Sequence, residues 1–505
     1  MKMLDTIRAL ALSQPAALAY ISPNTEITYD ELWTQSERIA AFISKQNLKM
    51  GSSVLVYGHM EAQMIASFLG CVKAGHSYIP VDTSIPIDRV NKIIDSAKTE
   101  LIINVSGEQM VIDNSAAFIF NFNEIMLKQA YEEPSNPSNW VRGDENFYII
   151  YTSGSTGNPK GVQISANNLE SFVDWMTADF PISGSLRFLN QAPYSFDLSV
   201  MDLYPALASG GTIFAITKEM IAKPKILFEA LLKSKTQVWT STPSFVQMCL
   251  MDPSFTQELL PALRVFLFCG EILPAAICKQ LMERFPKAKI FNTYGPTEAT
   301  VAITSIEITA AMLELYPNLP IGKTKPDTSI LLLGENGLEV QPGEIGELII
   351  VGPSVSKSYL GEQELTDKAF YKISGVQAYR TGDAGYCDQD GLLFYKGRID
   401  FQIKLHGYRM ELEEIEYHIT HSKYVKSVVV VPVYQKEKID YLLAAITPAE
   451  NDFEKEYQLT SAIKKELSEV IPAYMIPRKF TYRDELPMTP NGKIDRKQIR
   501  ELVLS

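Results

Sequence analysis

The sequence predicts an α/β protein with a large N-terminal region of helix-covered, mostly parallel sheets, a small barrel-like β part and a smaller α+β C-terminal domain. Three observations lead to this prediction. The chain has 505 residues, too many for one compact core. Strand and helix patterns alternate through the first hundred residues, which is typical of a parallel sheet. From about residue 320 the pattern changes to short strands separated by tight turns.

The first hundred residues predict successive strand–helix–strand units. The segment "TYDELWTQSERIAAFI" predicts a helix, because Thr28 and Glu31 have capping-box spacing and apolar residues recur at helical intervals. The predicted strands "SVLVYG" and "SYIPVD" flank the helix "EAQMIASFLGCVKAG", which we expect to end at Gly75. The segments "IPIDRVNKIIDSAK" and "LIINV" repeat the alternation, so helices are expected to cover a parallel sheet.

Later segments predict a loop, an antiparallel part and a separate domain. "YEEPSNPSNWVRGDE" is rich in Pro, Ser and Asn and predicts a surface loop. "SILLLGENGLEVQPGEIGELIIVG" predicts an antiparallel sheet or small barrel. After "YKGRID" follow a helix ("ELEEIEYHI"), two strands ("SVVVVPVY" and "YLLAAIT") and a helix ("SAIKKELSEVI"). We therefore expect a large domain over residues 1–399 and a small C-terminal domain over residues 400–505.

The composition excludes several classes of protein. Lys and Arg total 47 against 59 Asp and Glu, a net charge of −12, so no nucleic-acid partner is expected. No apolar run approaches the roughly 18 residues that span a bilayer, and the N-terminus lacks a secretory signal. The five cysteines form no C-x-x-C pair. A reduced, cytoplasmic location is therefore expected.

Two histidines raise the question of a metal site. His418 and His421 in "EYHITH" have the spacing of one helical face. Two readings follow, a metal pair or solvated helix residues. The second is favoured, because no further ligand cluster lies nearby in the sequence.

The segment "YTSGSTGNPKG", residues 151–161, follows the apolar run "NFYII" and carries the clearest chemical signal. Backbone N–H groups and hydroxyls of such a loop, together with a lysine, can surround phosphate oxygens. It is not a Walker A loop, because Pro159 precedes Lys160 and Gly161 follows it. On composition alone, a flexible surface loop remains the alternative.

Four other stretches give this loop a context. They are "FNTYGPTEAT" (291–300), "YRTGDAGY" (379–386), "YKGRIDFQIKLHGYRMELEEIE" (395–416) and "LPMTPNGKIDRKQI" (486–499). Together and in this order, the five stretches resemble the adenylate-forming enzymes, which include acyl-CoA synthetases, luciferases and the amino-acid-activating domains of peptide synthetases. The resemblance covers essentially the whole chain. "FDLSVMD" (196–202) resembles the amino-acid branch, and "VYGHMEAQMIASFLGCVKAGHSYIPVD" is similar to its stand-alone members that activate D-alanine.

This resemblance implies two half-reactions that use ATP and Mg²⁺. D-Alanine and ATP would give D-alanyl-AMP and pyrophosphate, and the acyl group would then pass to the phosphopantetheine thiol of a separate D-alanyl carrier protein that serves lipoteichoic acid D-alanylation. Three alternatives stay open: another stand-alone amino-acid-activating enzyme, an acyl-CoA synthetase of small acids, and a nucleotide-binding regulator without turnover. Residue types do not distinguish D-alanine from L-alanine.

The resemblance also assigns nucleotide-binding residues, and Lys493 as the main catalytic cation, in contact with both ATP and the substrate carboxylate. Thr152, Ser153, Thr156 and Lys160 would hold the β,γ-phosphates; Asn292, Thr293, Tyr294, Gly295, Pro296 and Thr297 would surround the adenine and the α-phosphate; Asp383 would bind the ribose hydroxyls, with Phe394, Tyr395, Lys396, Gly397 and Arg398 lining the nucleotide. Tyr294 would stack on adenine, Asn292 would reach its polar edge, and Glu298 would bind Mg²⁺.

The remaining implied roles concern the amino acid and the domain motion. Asp197 would hold the α-ammonium group, although a helix N-cap is the alternative. Cys269 and Val301 would form a small apolar slot suited to alanine, while Cys269 could equally be inert core. Asp400 is expected at the hinge about which the small domain rotates. His406 stands where many relatives carry Arg, which puts in doubt a role for this position in carrier contact.

Overall fold

The structure is a computed structural model that describes residues 2–113, 117–128, 134–154, 157–435, 438–487 and 496–504. Thr156 and Lys493, two residues of the predicted site, lie outside these ranges. Helices and strands are numbered along the chain. Among the described residues, we found no helix that is long and apolar enough to cross a membrane.

Two large sheets form the N-terminal part. The nine-stranded sheet contains β1 (Leu18–Ser22), β2 (Thr25–Thr28), β9 (Arg187–Asn190), β10 (Thr212–Ala215), β11 (Val238–Ser241), β12 (Val265–Phe268), β13 (Lys289–Tyr294), β14 (Thr304–Glu307) and β15 (Lys323–Thr324), in the order β15-β14-β13-β12-β11-β9-β10-β1-β2. The six-stranded sheet contains β3 (Ser53–Gly58), β4 (Ser77–Asp82), β5 (Leu101–Asn104), β6 (Phe118–Asn121), β7 (Asn146–Thr152) and β8 (Lys160–Ser165), in the order β6-β5-β3-β4-β7-β8. Most neighbouring strands are parallel, as predicted.

Helices cover these two sheets and the antiparallel sheet described next. They are α1 (Lys2–Ser13), α2 (Tyr29–Ser44), α3 (Ala62–Lys73), α4 (Ile87–Ala97), α5 (Phe122–Lys128), α6 (Ala166–Asp179), α7 (Val200–Ser209), α8 (Lys218–Ala222), α9 (Pro224–Ser234), α10 (Pro243–Leu250), α11 (Ala275–Arg284), α12 (Ala310–Leu315) and α13 (Gln363–Ala369). The predicted capping box of α2 is confirmed: Thr28 Oγ1 accepts from the Glu31 N–H, and Glu31 accepts from the Thr28 N–H. Continuous apolar cores lie between helices and sheets.

The predicted short strands after residue 320 form a five-stranded antiparallel sheet. Its members are β16 (Ser329–Leu333), β17 (Gly346–Val351), β18 (Phe370–Ile373), β19 (Val376–Cys387) and β20 (Leu393–Arg398). Strand β19 lies between β17 and β18 and also pairs with β20. The Asp383–Arg398 pair of this β19–β20 ladder therefore brings two predicted site residues side by side.

The C-terminal part has its own core. A hairpin of β21 (Gln402–Leu405) and β22 (Tyr408–Glu411) precedes a three-stranded sheet of β23 (Val425–Gln435), β24 (Lys438–Pro448) and β25 (Lys479–Tyr482), with helices α14 (Leu412–Thr420), α15 (Glu456–Val470) and α16 (Arg496–Leu504). Its main apolar cluster runs from Ile403 to Met475. The predicted boundary at 399/400 falls between β20 and the hairpin.

Candidate active site

Several site residues lie at the carboxyl ends of adjacent parallel strands. Strands β12 and β13 pair in parallel, so Cys269 follows one strand and Gly295 the next along the same sheet edge. In the other large sheet, Thr152 at the end of β7 pairs with Lys160 at the start of β8. The loop between them connects the two strands. Ligands of α/β sheets bind at such carboxyl ends.

Tyr294, Asp383 and Arg398 form a connected group. The Tyr294 hydroxyl donates to Asp383 Oδ2 at 2.5 Å, and Arg398 Nη1 donates to Asp383 Oδ1 at 3.1 Å. Arg398 Nε also donates to Asp400 Oδ1 at 2.8 Å. An ionised carboxylate has about four acceptor positions, so Asp383 keeps lone pairs for further donors. Arg398 thereby links the proposed ribose carboxylate to the proposed hinge carboxylate.

In the segment from Phe394 to Gly397, successive side chains point to opposite faces of β20. Tyr395 faces Tyr294, with ring centroids 6.1 Å apart. Phe394 stacks on Tyr386, and Lys396 Nζ lies over the same ring. Successive strand residues point to opposite faces, so Phe394 and Lys396 turn their side chains away from the Tyr294 group.

The segment following β13 is tightly built. Thr293 Oγ1 donates to the Phe268 carbonyl at 2.9 Å, and Asn292 Nδ2 donates to the Pro320 carbonyl at 2.8 Å. A Cβ on Gly295 would lie 2.5 Å from Ala302 Cα, so only glycine fits there. Pro296 then precedes a 3₁₀ turn, Thr297–Ala299. One of the two N–H donors of the Asn292 amide is thus used within the protein.

Glu298 is fully buried at the centre of a charged cluster. It accepts from the Tyr359 hydroxyl at 2.7 Å and from Arg409 Nη1 at 2.5 Å, and Lys160 Nζ lies 3.9 Å away. Burial alone would raise its pKa, but the positive charges of Arg409 and Lys160 hold that pKa well below the usual carboxyl range. Burial lowers the pKa of Lys160, and Arg409 lowers it further. Glu298 is therefore ionised.

The loop after Thr152 carries groups suited to an anion. Thr152 Oγ1 is buried and has no hydrogen-bond partner among the described residues. Ser153 Oγ donates to the Arg409 carbonyl at 3.2 Å, and the Gly154 N–H donates to Glu414 Oε2 at 3.1 Å. The loop donors thus face the C-terminal part.

A hydrogen bond joins the side chains of Asp197 and Thr297. Thr297 Oγ1 donates to Asp197 Oδ2 at 2.7 Å, and within the described ranges no ion pair involves Asp197. Burial raises the pKa of this carboxyl, an effect that the Thr297 hydrogen bond and the more distant charges of Lys404 and Arg409 only partly offset. Such a carboxylate suits a cationic ligand.

Cys269 and Val301 adjoin each other. Cys269 Sγ donates to the Val301 carbonyl at 3.7 Å, both residues are buried, and burial raises the pKa of the thiol. Thr300 and Val301 both have positive φ, 58° and 70°, which is unusual for β-branched residues. Backbone strain of this kind clusters at ligand sites.

Comparison with known proteins shows the family to which the chain belongs. The model for AMP-binding enzymes matches residues 7–360, and the model for the AMP-binding enzyme C-terminal domain matches residues 414–493. The chain belongs to the AMP-binding enzyme family. The family resemblance found in the sequence is therefore confirmed.

The chain matches curated relatives along their full lengths. It is 61% identical over 503 residues to the D-alanine–D-alanyl carrier protein ligase of Bacillus licheniformis, and 59% identical over 505 residues to the protein of that name from Bacillus velezensis, with 100% of each chain covered. Two solved structures share its fold. o-Succinylbenzoate CoA synthetase (MenE) from Bacillus subtilis superposes with a TM-score of 0.86 at 21% identity, covering 98% of both chains. The Vibrio cholerae adenylation domain AlmE, in complex with glycyl-adenosine-5'-phosphate, superposes with a TM-score of 0.83 at 22% identity, covering 99% of this chain and 97% of AlmE.

The sequence of this AMP-binding enzyme does not reveal that the C-terminal hairpin contributes to the site. Arg409 contacts Glu298, and Glu411 lies 3.8 Å from Lys160. The alternating charges of "KLHGYRMELEEIE" were the available signal, but they do not reveal which residues they meet. His406 and Gly407 form the turn of the hairpin with φ of 52° and 83°, and the Gly407 N–H donates to Glu271 at 2.7 Å.

A cavity of about 270 Å³ lies where the antiparallel sheet meets the C-terminal hairpin. Its lining is strongly charged, with five basic and three acidic side chains: Lys160, Lys368, Arg380, Arg398, Arg409, Glu347, Asp400 and Glu411. The excess of positive charge suits phosphate groups.

The described residues offer no group of three or more His, Cys, Asp and Glu side chains that could hold a metal ion. His418 and His421 therefore belong to no such group among the described residues. Burial lowers the pKa of His418 to about 4, so His418 is neutral. One carboxylate such as Glu298 would suffice for a cation that also binds phosphate oxygens, since Mg²⁺ usually takes one or two carboxylates and completes its shell with phosphates and water.

Proposed function

We propose that the protein activates D-alanine with ATP to D-alanyl-AMP, releasing pyrophosphate, and then transfers the D-alanyl group to the phosphopantetheine thiol of a separate D-alanyl carrier protein. The observation that carries this proposal is the identity of 54–61% over essentially the whole chain to relatives named D-alanine–D-alanyl carrier protein ligase. The product would serve lipoteichoic acid D-alanylation. All five cysteines are free thiols, which supports a cytoplasmic location.

The geometry around Asp197 supports an amino acid as the substrate. Its partly buried carboxylate is suited to receive the α-ammonium group, and Thr297 fixes its orientation. Cys269 and Val301, which are buried and adjoin each other, would line the slot for a short apolar side chain. An acyl-CoA synthetase of small acids would have no use for this buried charge, which disfavours that alternative.

The connected groups already described support the nucleotide roles that the family resemblance implies. Asp383, held by Tyr294 and Arg398, would accept from the ribose hydroxyls, while Thr152, Ser153, Thr156 and Lys160 would hold the β,γ-phosphates. Lys493 would stabilise the negative charge that moves between the substrate carboxylate and the α-phosphate; removing one such preorganised donor costs about 10²–10³ in rate. Mg²⁺ held by Glu298 would supply positive charge to the phosphates.

ATP–pyrophosphate exchange with D-alanine, L-alanine and propionate tests the first half-reaction. We expect the fastest exchange with D-alanine. Because one methylene is worth only about 1–3 kcal/mol of discrimination, glycine and serine should be used poorly rather than rejected. Exchange with propionate but with neither alanine would contradict the proposal. Binding of ATP without any exchange would instead indicate a regulator without turnover.

A further inference from the structure

The carboxyl group of Asp202 is fully buried in the first turn of α7. Its Oδ2 accepts from Asn190 Nδ2 at 3.3 Å, while Oδ1 has no hydrogen-bond partner among the described residues. Within the ranges that the structure describes, no basic side chain forms an ion pair with Asp202. A buried carboxyl without a paired cation reduces stability, so packing alone does not account for this residue.

The neighbours of Asp202 lie at the carboxyl ends of two adjacent strands. Strands β9 and β11 pair in parallel up to Leu189 and Trp239, so the next residues, Asn190 and Thr240, lie side by side. Both are buried, and Asn190 Oδ1 and Thr240 Oγ1 have no hydrogen-bond partner within the described part of the chain. This is the edge of the sheet at which α/β proteins bind their ligands.

The environment of Asp202 favours its neutral form. Burial raises the pKa of this carboxyl well above its ordinary value, and the nearby Asn190 and Thr240 side chains only partly oppose the effect. A protonated carboxyl has one O–H donor besides its acceptor lone pairs. Asp202 can therefore accept from Asn190 and donate to an oxygen at the strand ends. A neutral group also avoids repulsion with the negative charge that Asp197 would present to the substrate.

Asp202 and Asp197 belong to one hydrogen-bonded segment. The 3₁₀ turn Asp197–Ser199 continues directly into α7, and the first N–H of that helix donates to the Asp197 carbonyl. On the strand side, the same Asn190 Nδ2 that donates to Asp202 also donates to the Ala192 carbonyl at 3.3 Å. The backbone that carries Asp197 is thus held from both sides by the Asp202 contact. A small displacement of a substrate-positioning group can lower the rate about a hundredfold.

We propose that Asp202 is a positioning residue for the substrate ammonium group: its contact with the ends of β9 and β11 fixes the segment that carries Asp197, and it acts on the amino acid only through Asp197. This inference rests on the proposed function. Loss of the contact should weaken the reaction of amino acids and spare ATP, because the proposed ribose and phosphate contacts come from other elements of the chain.

Two substitutions of Asp202 separate its hydrogen bonds from its charge. Asp202→Ala removes the carboxyl, whereas Asp202→Asn keeps one acceptor and one donor group. In pyrophosphate exchange, we expect Asp202→Ala to lower kcat/KM for D-alanine about tenfold, as for lost buried hydrogen bonds, with the KM for ATP and the slow reaction of propionate unchanged. Asp202→Asn should restore the D-alanine reaction. Tyr204→Phe removes another buried hydrogen bond of α7, the one with Tyr78, and should behave like the unsubstituted chain.

A double-mutant cycle with Asp197→Asn distinguishes positioning from a general loss of structure. If Asp202 acts through Asp197, Asp202→Ala should lower kcat/KM for D-alanine no further in the Asp197→Asn background. Urea unfolding shows whether each variant is folded. Where Asp202→Ala fails to fold, Asn190→Ala takes its place, because it removes the donor to the same carboxyl and should show the same selective loss.

Three results would overturn the inference. They are an equal loss with D-alanine and propionate in the folded variant, an unchanged D-alanine reaction, and a tenfold loss that persists in the Asp197→Asn background. Failure of the proposed function is different, since it is seen as absent exchange of the unsubstituted chain with D-alanine.

Discussion

Replacing Asp197 by Asn tests the proposed contact with the substrate ammonium. The substitution keeps the size of the side chain and an oxygen that can accept from Thr297, which now lies 2.7 Å from the carboxylate. It removes only the negative charge. The expected effect is therefore confined to substrates that carry an amino group.

The magnitude follows from the environment of the carboxylate. Truncating one partner of a hydrogen-bonded charge pair in a desolvated site costs about 2–5 kcal/mol, or roughly 30-fold to several thousandfold in kcat/KM for D-alanine. The substitution should not reduce the stability of the folded protein. Burial raises the pKa of Asp197, so its ionised form reduces stability as pH rises through that pKa. At neutral pH, Asp197→Asn should therefore leave Tm unchanged or raise it.

Pyrophosphate exchange with D-alanine and with propionate, each measured on both proteins, isolates the charge. We expect Asp197→Asn to reduce kcat/KM for D-alanine and to leave the slow reaction of propionate unchanged. An equal loss with both substrates would mean that Asp197 supports the site without contacting the ammonium group. An unchanged D-alanine reaction would refute the reasoning altogether.

Three further predictions concern the nucleotide and the domain contact. Lys493→Ala should lower the rate of adenylation about 10²–10³-fold with ATP binding retained; unchanged exchange would remove Lys493 from the mechanism. Tyr294→Phe keeps the ring and loses the hydrogen bond to Asp383, so the KM for ATP in the exchange assay should rise about ten- to a hundredfold; an unchanged KM would contradict the role of this contact. Arg409→Gln leaves Glu298 buried without its direct cation and should cost about 3–5 kcal/mol in the free energy of unfolding measured with urea. Because the pKa of Glu298 is lowered, this stabilisation should be present at neutral pH and lost as pH falls below the ordinary carboxyl range; a loss that is the same at every pH would argue against the ion pair.

Local signals in the sequence predicted much of the fold. The capping box of α2 and the strand–helix alternation from Ser53 to Asp82 depend on residues close in sequence, and both are confirmed. The motifs also indicated which segments meet, since Tyr294, Asp383 and Arg398 lie together.

The sequence alone did not reveal contacts that depend on how the two parts of the chain dock. Arg409 and Glu298 are far apart in sequence, and only the position of the hairpin brings them together. The sequence motifs also did not show to which face of a strand each side chain points. Phe394 and Lys396 share a motif with Tyr395, but the alternation along β20 turns them to the opposite face.

The most direct test of the proposed function is the intact mass of the phosphopantetheinylated carrier protein after incubation with this enzyme, ATP and D-alanine. A gain of one alanyl group, reversed by hydroxylamine and dependent on both ATP and the phosphopantetheine arm, is the predicted result. An unmodified carrier in a reaction that acylates coenzyme A instead would contradict it.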